Sequence, residues 1–331
     1  MTDSVEIRRT RQPAPVLEIG GTHVTAALVD VRARRVLPGT KCRQPMRAGA
    51  SAEEIVDRVL GCASRLEAPP KSRWGIAIPG PFDYARGIAL FEGVAKFDAL
   101  YGVDLGKILI ERLPGRPSKV SFLNDASAFA LGEWAAGAAR GHDRAVGITL
   151  GTGVGSAFLS QGSLVDDGPD VPPQGWVHLL KFAGHPLEHS ISRRAIMNRY
   201  ADIAKPAPAD VILDVREIAG RARTGDLVAR RVMDDAFSAL GRTVGPWLTR
   251  FHATVLVVGG SMAASWDLIA RPMQEGLLRM ETELLSRLVL TQARQPEDAA
   301  LLGAAWYAAG DLSELDLTAS PAQALTTRRP L

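Results

Sequence analysis

Apolar residues along this chain come in short runs that end in glycine, threonine, proline or asparagine and alternate with longer stretches of helical period. Val16-Leu17-Glu18-Ile19 reads as a strand, Gly20-Gly21-Thr22 as a tight turn, and Val24 to Val29 as the returning strand. Arg34 to Leu37 continues as a third strand of the same meander. Ser51-Ala52-Glu53-Glu54 opens an amphipathic helix running to Glu67, with Ser51 as its N-cap and an acidic first turn. Trp74 to Ile78 is a short buried strand that ends in Pro79-Gly80-Pro81. A connection of about forty residues follows, carrying Phe91 to Phe97 and a short helix from Gly106 to Arg112. So long a connection is a candidate wall of a binding site.

The strand Ser121-Phe122-Leu123 delivers Asn124-Asp125, and the chain then turns at once into an Ala-rich helical pattern. A carboxylate where a strand gives way to a helix stands where open α/β folds place their ligands. On its own pattern Asp125 keeps two readings, a general base for a substrate hydroxyl or a cap for the following helix. Downstream, Arg144 to Leu150 is a strand, Gly151-Thr152-Gly153-Val154-Gly155 turns it, and Ser156 to Leu159 returns. This repeats the strand, Gly/Thr turn and strand of residues 16–29. The repetition suggests an internally duplicated α/β fold with one Gly-Thr hairpin in each half, and it moves Asp125 toward chemistry.

Residues 166–190 read as an irregular loop, and Ser190 to Leu248 as mainly helical, broken by Pro206 and Pro208. Thr254 to Val258 is a strand delivering Gly259-Gly260-Ser261, and helices follow from Asp267 to Ala309. The expected organisation is an arm over 1–15, a smaller α/β domain over 16–123, a larger one over 124–311 and a tail over 312–331.

Composition narrows the class. With 331 residues, 46% hydrophobic and 23% charged, the chain is long enough for two cored domains and is no disordered sequence. No apolar run is long enough to span a bilayer, and the N-terminus shows no secretory pattern. Cys42 and Cys62 are too few for a disulfide framework, so a reducing cytoplasm is expected. A net charge of +3 indicates no nucleic-acid stripe.

Glycines at hairpin turns let a backbone approach phosphate, and successive N–H groups form an anion-binding concavity. Thr22 and Thr152 add hydroxyls there. Each turn alone reads first as an ordinary hairpin. Gly151-x-Gly153-x-Gly155 is not the dinucleotide fingerprint, and no Walker A motif occurs. Gly259-Gly260-Ser261 reads either as a seat for an adenosine or as a plain strand-to-helix turn.

Taken in order, Leu17-Glu18-Ile19-Gly20-Gly21-Thr22, Ile78-Pro79-Gly80-Pro81, Leu123-Asn124-Asp125-Ala126, Leu150-Gly151-Thr152-Gly153-Val154-Gly155 and Val258-Gly259-Gly260-Ser261 resemble the motifs of the ROK sugar kinases. The resemblance covers residues 16–309. It implies the actin/hexokinase-like (ribonuclease H-like) ATPase fold, two α/β domains closing over a cleft with sugar deep and ATP at the mouth. By motif matching, Asp125 is the general base, and Gly80, Asn124, His178 and Glu188 contact the sugar. Glu18, Gly20, Gly21, Thr22, Gly151, Thr152 and Gly153 lie on the phosphate side, with Glu18 organising Mg²⁺ through water, and Gly259 and Gly260 on the nucleoside side. ATP and Mg²⁺ are the implied cofactors, a hexose or aminohexose the substrate, and a homodimer the assembly. A polyphosphate donor stays open, as some relatives use it. A sugar-responsive repressor of the same fold is not expected, because about fifteen residues precede the first strand where a DNA-binding domain would stand.

Two departures stand out. The family motif usually has Asp where Glu18 stands, and the family's Glu-x-Gly-His is replaced by Gln174-Gly175-Trp176-Val177-His178. The zinc-binding cysteines that follow in the family are missing. His178, His185 and His189 are loop histidines with no thiolate to complete a closed tetrahedral site, so structural zinc is not expected. Activity should therefore survive exhaustive zinc chelation once Mg²⁺ is restored. Stoichiometric zinc in purified protein, with unfolding on its removal, would overturn that expectation.

Overall fold

The computed structural model describes residues 12–47, 49–93, 97–204 and 213–310. Most of the expected arm, the tail, Pro206 and Pro208, and residues 94–96 of the long connection lie outside the described residues. The first sheet begins with β1 (Ala14–Ile19), β2 (His23–Asp30), β3 (Arg35–Val36) and β4 (Cys42–Pro45). Helix α1 (Ala52–Ala63) follows, with Ser51 and Glu54 forming a reciprocal capping box. It ends at Ala63, one turn before the expected Glu67. Strand β5 (Arg73–Ile78), the small hairpin β6 (Phe82–Asp83) and β7 (Ile88–Ala89), helix α2 (Leu105–Arg112) and β8 (Lys119–Asn124) complete this part.

Helix α3 (Asp125–Ala136) then leads to β9 (Arg144–Leu150), β10 (Val154–Ser160) and β11 (Ser163–Val165) of a second sheet. The loop that follows contains a two-stranded ribbon, β12 (Lys181–Phe182) and β13 (His185–Pro186). Helices α4 (Glu188–Ile191), α5 (Arg193–Ala204), α6 (Val215–Arg223) and α7 (Leu227–Arg250) come next. The chain closes through β14 (Val255–Gly259), α8 (Trp266–Met280), β15 (Val289–Gln292) and α9 (Ala299–Ala309). Strands β4 and β15 were not evident in the sequence. Their alternation is short, and each is fixed by a neighbour, β4 by pairing with β2 and β15 by pairing with β14.

The duplication is visible in the topology. One sheet runs β3-β2-β1-β5-β8 and the other β11-β10-β9-β14-β15, the same strand order reached twice. In each, the first two strands are an antiparallel hairpin and the later strands join in parallel. Strands β5 and β14 are buried almost end to end, as parallel strands covered on both faces should be.

Three apolar clusters build the molecule. One lies beneath α1 and α2 on the first sheet, a second beneath α6, α7 and α8 on the second. The third joins them, with α3 and α9 between Val16, Ala27 and Ala77 of the first sheet and Ala145, Ala157 and Val257 of the second. A helix with contacts all round has no polar face. Accordingly α3 buries Ala126, Ala128 to Glu133, and Ala135. Backbone meets backbone here: a Cβ on Gly303 would fall 1.8 Å from the Ala128 carbonyl oxygen, and one on Gly132 1.8 Å from that of Ala299.

The fully buried Glu133 locks the far end of α3. Its carboxylate accepts from the Ala138 N–H at 2.6 Å, the Gln295 N–H at 2.6 Å and the Arg294 N–H at 3.1 Å. A buried carboxylate with several backbone donors is satisfied without a cation. It ties the end of α3 to the segment entering α9.

Gly303→Ala should destabilise the fold by about 1–3 kcal/mol or more, because neither backbone can withdraw. Denaturant titration checks this; an unchanged midpoint would mean that the α3–α9 contact yields easily.

Candidate active site

Register places the motifs. Strands β1, β5 and β8 are parallel, with Glu18 opposite Ala77 and Ile78 opposite Asn124. Gly20-Gly21-Thr22, Gly80 and Asn124-Asp125 therefore leave the same edge of the first sheet. Strands β9 and β14 are parallel in the second, with Gly259 opposite Thr149, so Gly151-Thr152-Gly153 and Gly259-Gly260 leave one edge together. The two edges meet at α3, where a Cβ on Gly155 would fall 2.6 Å from the Ala126 Cβ.

Asp125 is the first residue of α3 and is exposed. The N-cap is Asn124, whose Oδ1 accepts from the Ala126 N–H at 2.9 Å; an Asp125 Oδ1 lies at the same distance from that N–H. The N-cap is thus the preceding residue, and Asp125, one residue on, shares the same N–H. The Asn124 Nδ2 donates to the Tyr84 hydroxyl at 3.0 Å, and that hydroxyl lies 3.3 Å from the Ile78 carbonyl oxygen. Gly80 sits beside them, since a Cβ there would come 3.3 Å from the same hydroxyl. Burial, with the nearby Asp125 charge, pushes the Tyr84 phenol well above its usual range, so it stays a neutral hydroxyl.

Glu18 is the second carboxylate of this cluster. Burial first, and then the Asp125 charge, push it from the ordinary 4.5 to about 7, opposed by Arg43 and Lys41. Glu18 is opposite Thr25, and Thr25 opposite Arg43, which sets the three side chains in a row on one face of the sheet. Lys41 pairs with Asp298 just before α9. The first hairpin closes with the Gly20 N–H donating to the His23 carbonyl at 2.9 Å, and the exposed Thr22 hydroxyl lies 3.0 Å from His23 Nδ1. Burial, helped by Arg43, holds His23 below its usual value and so mainly neutral.

In the second half the Gly151 N–H donates to the Gly153 carbonyl at 3.0 Å, leaving Thr152 exposed at the tip. Gly260 adopts φ 86°, and a Cβ there would fall 2.4 Å from the Leu150 carbonyl oxygen. The absent side chain of Gly259 is accounted for by Phe129 of α3, 2.4 Å from where a Cβ would stand. Glu188 opens α4, and its Oε1 accepts from the Val154 N–H at 3.3 Å beside Gly153. His178 stacks obliquely on Trp176, their ring centroids 5.5 Å apart. Burial lowers its basicity, Glu188 partly restores it, and its Nδ1 is buried without a hydrogen-bond partner among the described residues.

The residues matched to sugar and nucleotide thus lie in two neighbouring groups, Glu18 to Thr22 with Gly80, Asn124 and Asp125, and Gly151 to Gly153 with His178, Glu188, Gly259 and Gly260. His185 and His189 stack on each other, their ring centroids 6.5 Å apart. Among the described residues no three His, Cys, Asp or Glu side chains gather into a metal-holding group. Tyr84, Lys41 and Arg43 were not evident from sequence. Tyr84 is joined to Asn124 only through the fold, and the two cations act across strands whose pairing no local pattern announces.

A duplicated hairpin sheet, facing Gly-Thr turns and a carboxylate at the strand-to-helix switch define an actin/hexokinase-like ATPase fold. The chain matches the ROK family over residues 16–311 and belongs to that family. It is 26% identical over 313 residues to a glucokinase of Thermotoga maritima, covering 87% of this chain and 95% of that protein. It is 27% identical over 309 residues to an N-acetylmannosamine kinase of Citrobacter koseri, covering 89% and 98%. The structure of a ROK family glucokinase from Streptomyces griseus in complex with glucose and AMPPNP superimposes with a TM-score of 0.72 at 25% identity, over 89% of this chain and 98% of that one.

The raised Glu18 makes a pH prediction. An acid whose folded pKa lies above its unfolded value binds more protons when folded, so it favours the fold at low pH and loses that contribution as pH rises. Stability measured without divalent cations should therefore fall through the window from about 4.5 to about 7 on account of this group. Glu18→Gln should flatten that part of the profile, and an unaltered slope would show that Glu18 titrates normally.

Proposed function

We propose that this ROK enzyme, a sugar kinase, transfers the γ-phosphoryl group of ATP to a hexose hydroxyl, the 6-hydroxyl of glucose or a related hexose. The observation that carries the reading is the position of Asp125. It is an exposed carboxylate at the carboxyl end of β8 and the start of α3, with Asn124 as the N-cap, at the helix where the edges carrying the Gly-Thr turn of each sheet meet. In this reading residues 16–123 and 124–311 are two domains that close on the sugar.

The chemistry asks for positioning more than for covalent participation. Asp125 accepts the proton of the attacking hydroxyl as the oxygen–phosphorus bond forms. Asn124, Gly80, His178 and Glu188 hold the remaining hydroxyls, and the backbone N–H groups of residues 21, 22, 152 and 153 hold phosphate oxygens, those of Gly20 and Gly151 closing the turns. Gly259 and Gly260 leave room for the nucleoside. Closure of the cleft would exclude the water that otherwise competes as acceptor.

Glu18 also fits a magnesium ion delivered with the nucleotide. Such sites need only one or two carboxylates, the phosphates and water supplying the rest, and Glu18, raised by burial and then by the Asp125 charge, would be relieved by a cation. When bound, the ion would neutralise charge on the phosphates. Glu18, one methylene longer than the family's usual Asp, would reach it through water.

An aminohexose acceptor is the second reading. The N-acetylmannosamine kinase of C. koseri is as similar to this chain as the glucokinase is, and Gln174 to His178 departs from the family's sugar-contacting segment. Assay of a hexose and aminohexose panel, with ATP and polyphosphate as donors, separates these possibilities.

Asp125→Asn preserves shape and most hydrogen bonding but cannot take the proton. Turnover should fall at least about 10²–10⁴-fold, the usual contribution of a positioned base, with nucleotide affinity and melting temperature little changed. Near-normal turnover in a folded variant would rule out the base.

A further inference from the structure

Tyr84 lies outside the residues assigned above and adjoins them through Asn124. Its ring leans on Phe82 at 5.3 Å between centroids, and Phe82 in turn packs on Phe122 of β8 at 5.1 Å. This seat holds the hydroxyl between the carboxyl ends of β5 and β8, whose last residues Ile78 and Asn124 are register partners. One oxygen thereby spans the two strand ends.

The direction of the hydrogen bonds follows from what each group can do. A carbonyl only accepts, so the single phenolic proton goes to Ile78, 3.3 Å away. The hydroxyl must then accept from Asn124, and the amide atom facing it at 3.0 Å has to be Nδ2. At the other end the Ala126 N–H only donates, and the amide atom 2.9 Å from it has to be Oδ1. Both ends of the amide are fixed in the same sense. The second N–H of Asn124 has no partner among the described residues, and it belongs to the residue next to Asp125.

We propose that Tyr84 is a specificity-determining positioning residue: it locks the Asn124 amide so that a hydrogen-bond donor, not an acceptor, meets the sugar hydroxyl neighbouring the one that Asp125 deprotonates. The site then offers an acceptor and a donor side by side. The 6-hydroxyl of a hexopyranose and the 4-hydroxyl beside it in space, one giving its proton and the other accepting at oxygen, satisfy both. Gly80 is part of the device, because a larger residue there would press on the phenolic oxygen.

The inference rests on the sugar-kinase reading, and the experiment separates the two. Tyr84→Phe keeps the ring and its packing and removes only the hydroxyl. In a steady-state assay on the best hexose of the panel, the variant should raise the sugar KM about 3–10-fold, the loss of one neutral hydrogen bond's organisation. The ATP KM should not move, and kcat should change less than the sugar KM. Because Tyr84 acts through Asn124, adding Tyr84→Phe to Asn124→Ala should leave the sugar KM where Asn124→Ala alone puts it. An equal increase in both backgrounds, a fall confined to kcat, or no change at all would overturn the role given to Tyr84. Failure of the unmutated protein to phosphorylate any hexose or aminohexose would overturn the kinase reading and this inference with it.

Discussion

The structure depends on one contact, the meeting of α3 and α9 at backbone distance between two sheets. Side chains normally hold packed helices about 8–10 Å apart. Here Gly132 and Gly303 remove them at the crossing, and Gly75, Gly147 and Gly155 let the strands come equally close. The dense middle layer fixes α3 in position, and its first residue is Asp125. Placement of the carboxylate is thus inherited from packing that involves no ligand.

The same layer explains why each half contributes a turn to one site. Identical strand order places the carboxyl edge of each sheet toward α3, so a hairpin in one half has its counterpart in the other. Glu133 fastens the opposite end of α3 to residues 294 and 295, and Lys41 reaches Asp298 from the first sheet. Charged side chains fasten the helices where the apolar layer ends.

Much of this was legible in the chain. The strand, turn and strand of residues 16–29 and 144–159 identified the duplication, and the switch at Asn124-Asp125 identified the position of the carboxylate. What stayed hidden is non-local. Strands β4 and β15 are too short to declare themselves by alternation and exist because a neighbour offers a free edge. Tyr84 stands in a connection without regular period, and its relation to Asn124 arises only once β5 and β8 pair. The arrangement at the helix start, with Asn124 as N-cap and Asp125 as first helical residue on the same N–H, turns on a shift of one residue, which a pattern of Asn followed by Asp does not resolve. Glu18 reads in sequence as a phosphate-side acid; its raised basicity comes from burial and from the Asp125 carboxylate at the start of α3.

The glycines of the middle layer also change how variation among relatives should be interpreted. Gly155 and Gly259 lie within motifs that look like nucleotide-binding signatures, yet a Cβ on either would collide with Ala126 or Phe129 of α3. Their invariance, wherever it is found, would record the closeness of a helix and carry no information about the ligand. Gly151 has open space by comparison, its nearest neighbour for an added Cβ being the Ser261 Oγ at 3.8 Å. A protein of this family that had lost its catalytic role would therefore be expected to keep Gly155 and Gly259 while Gly151 drifts, and that contrast offers a way to tell an idle copy of the fold from a working one.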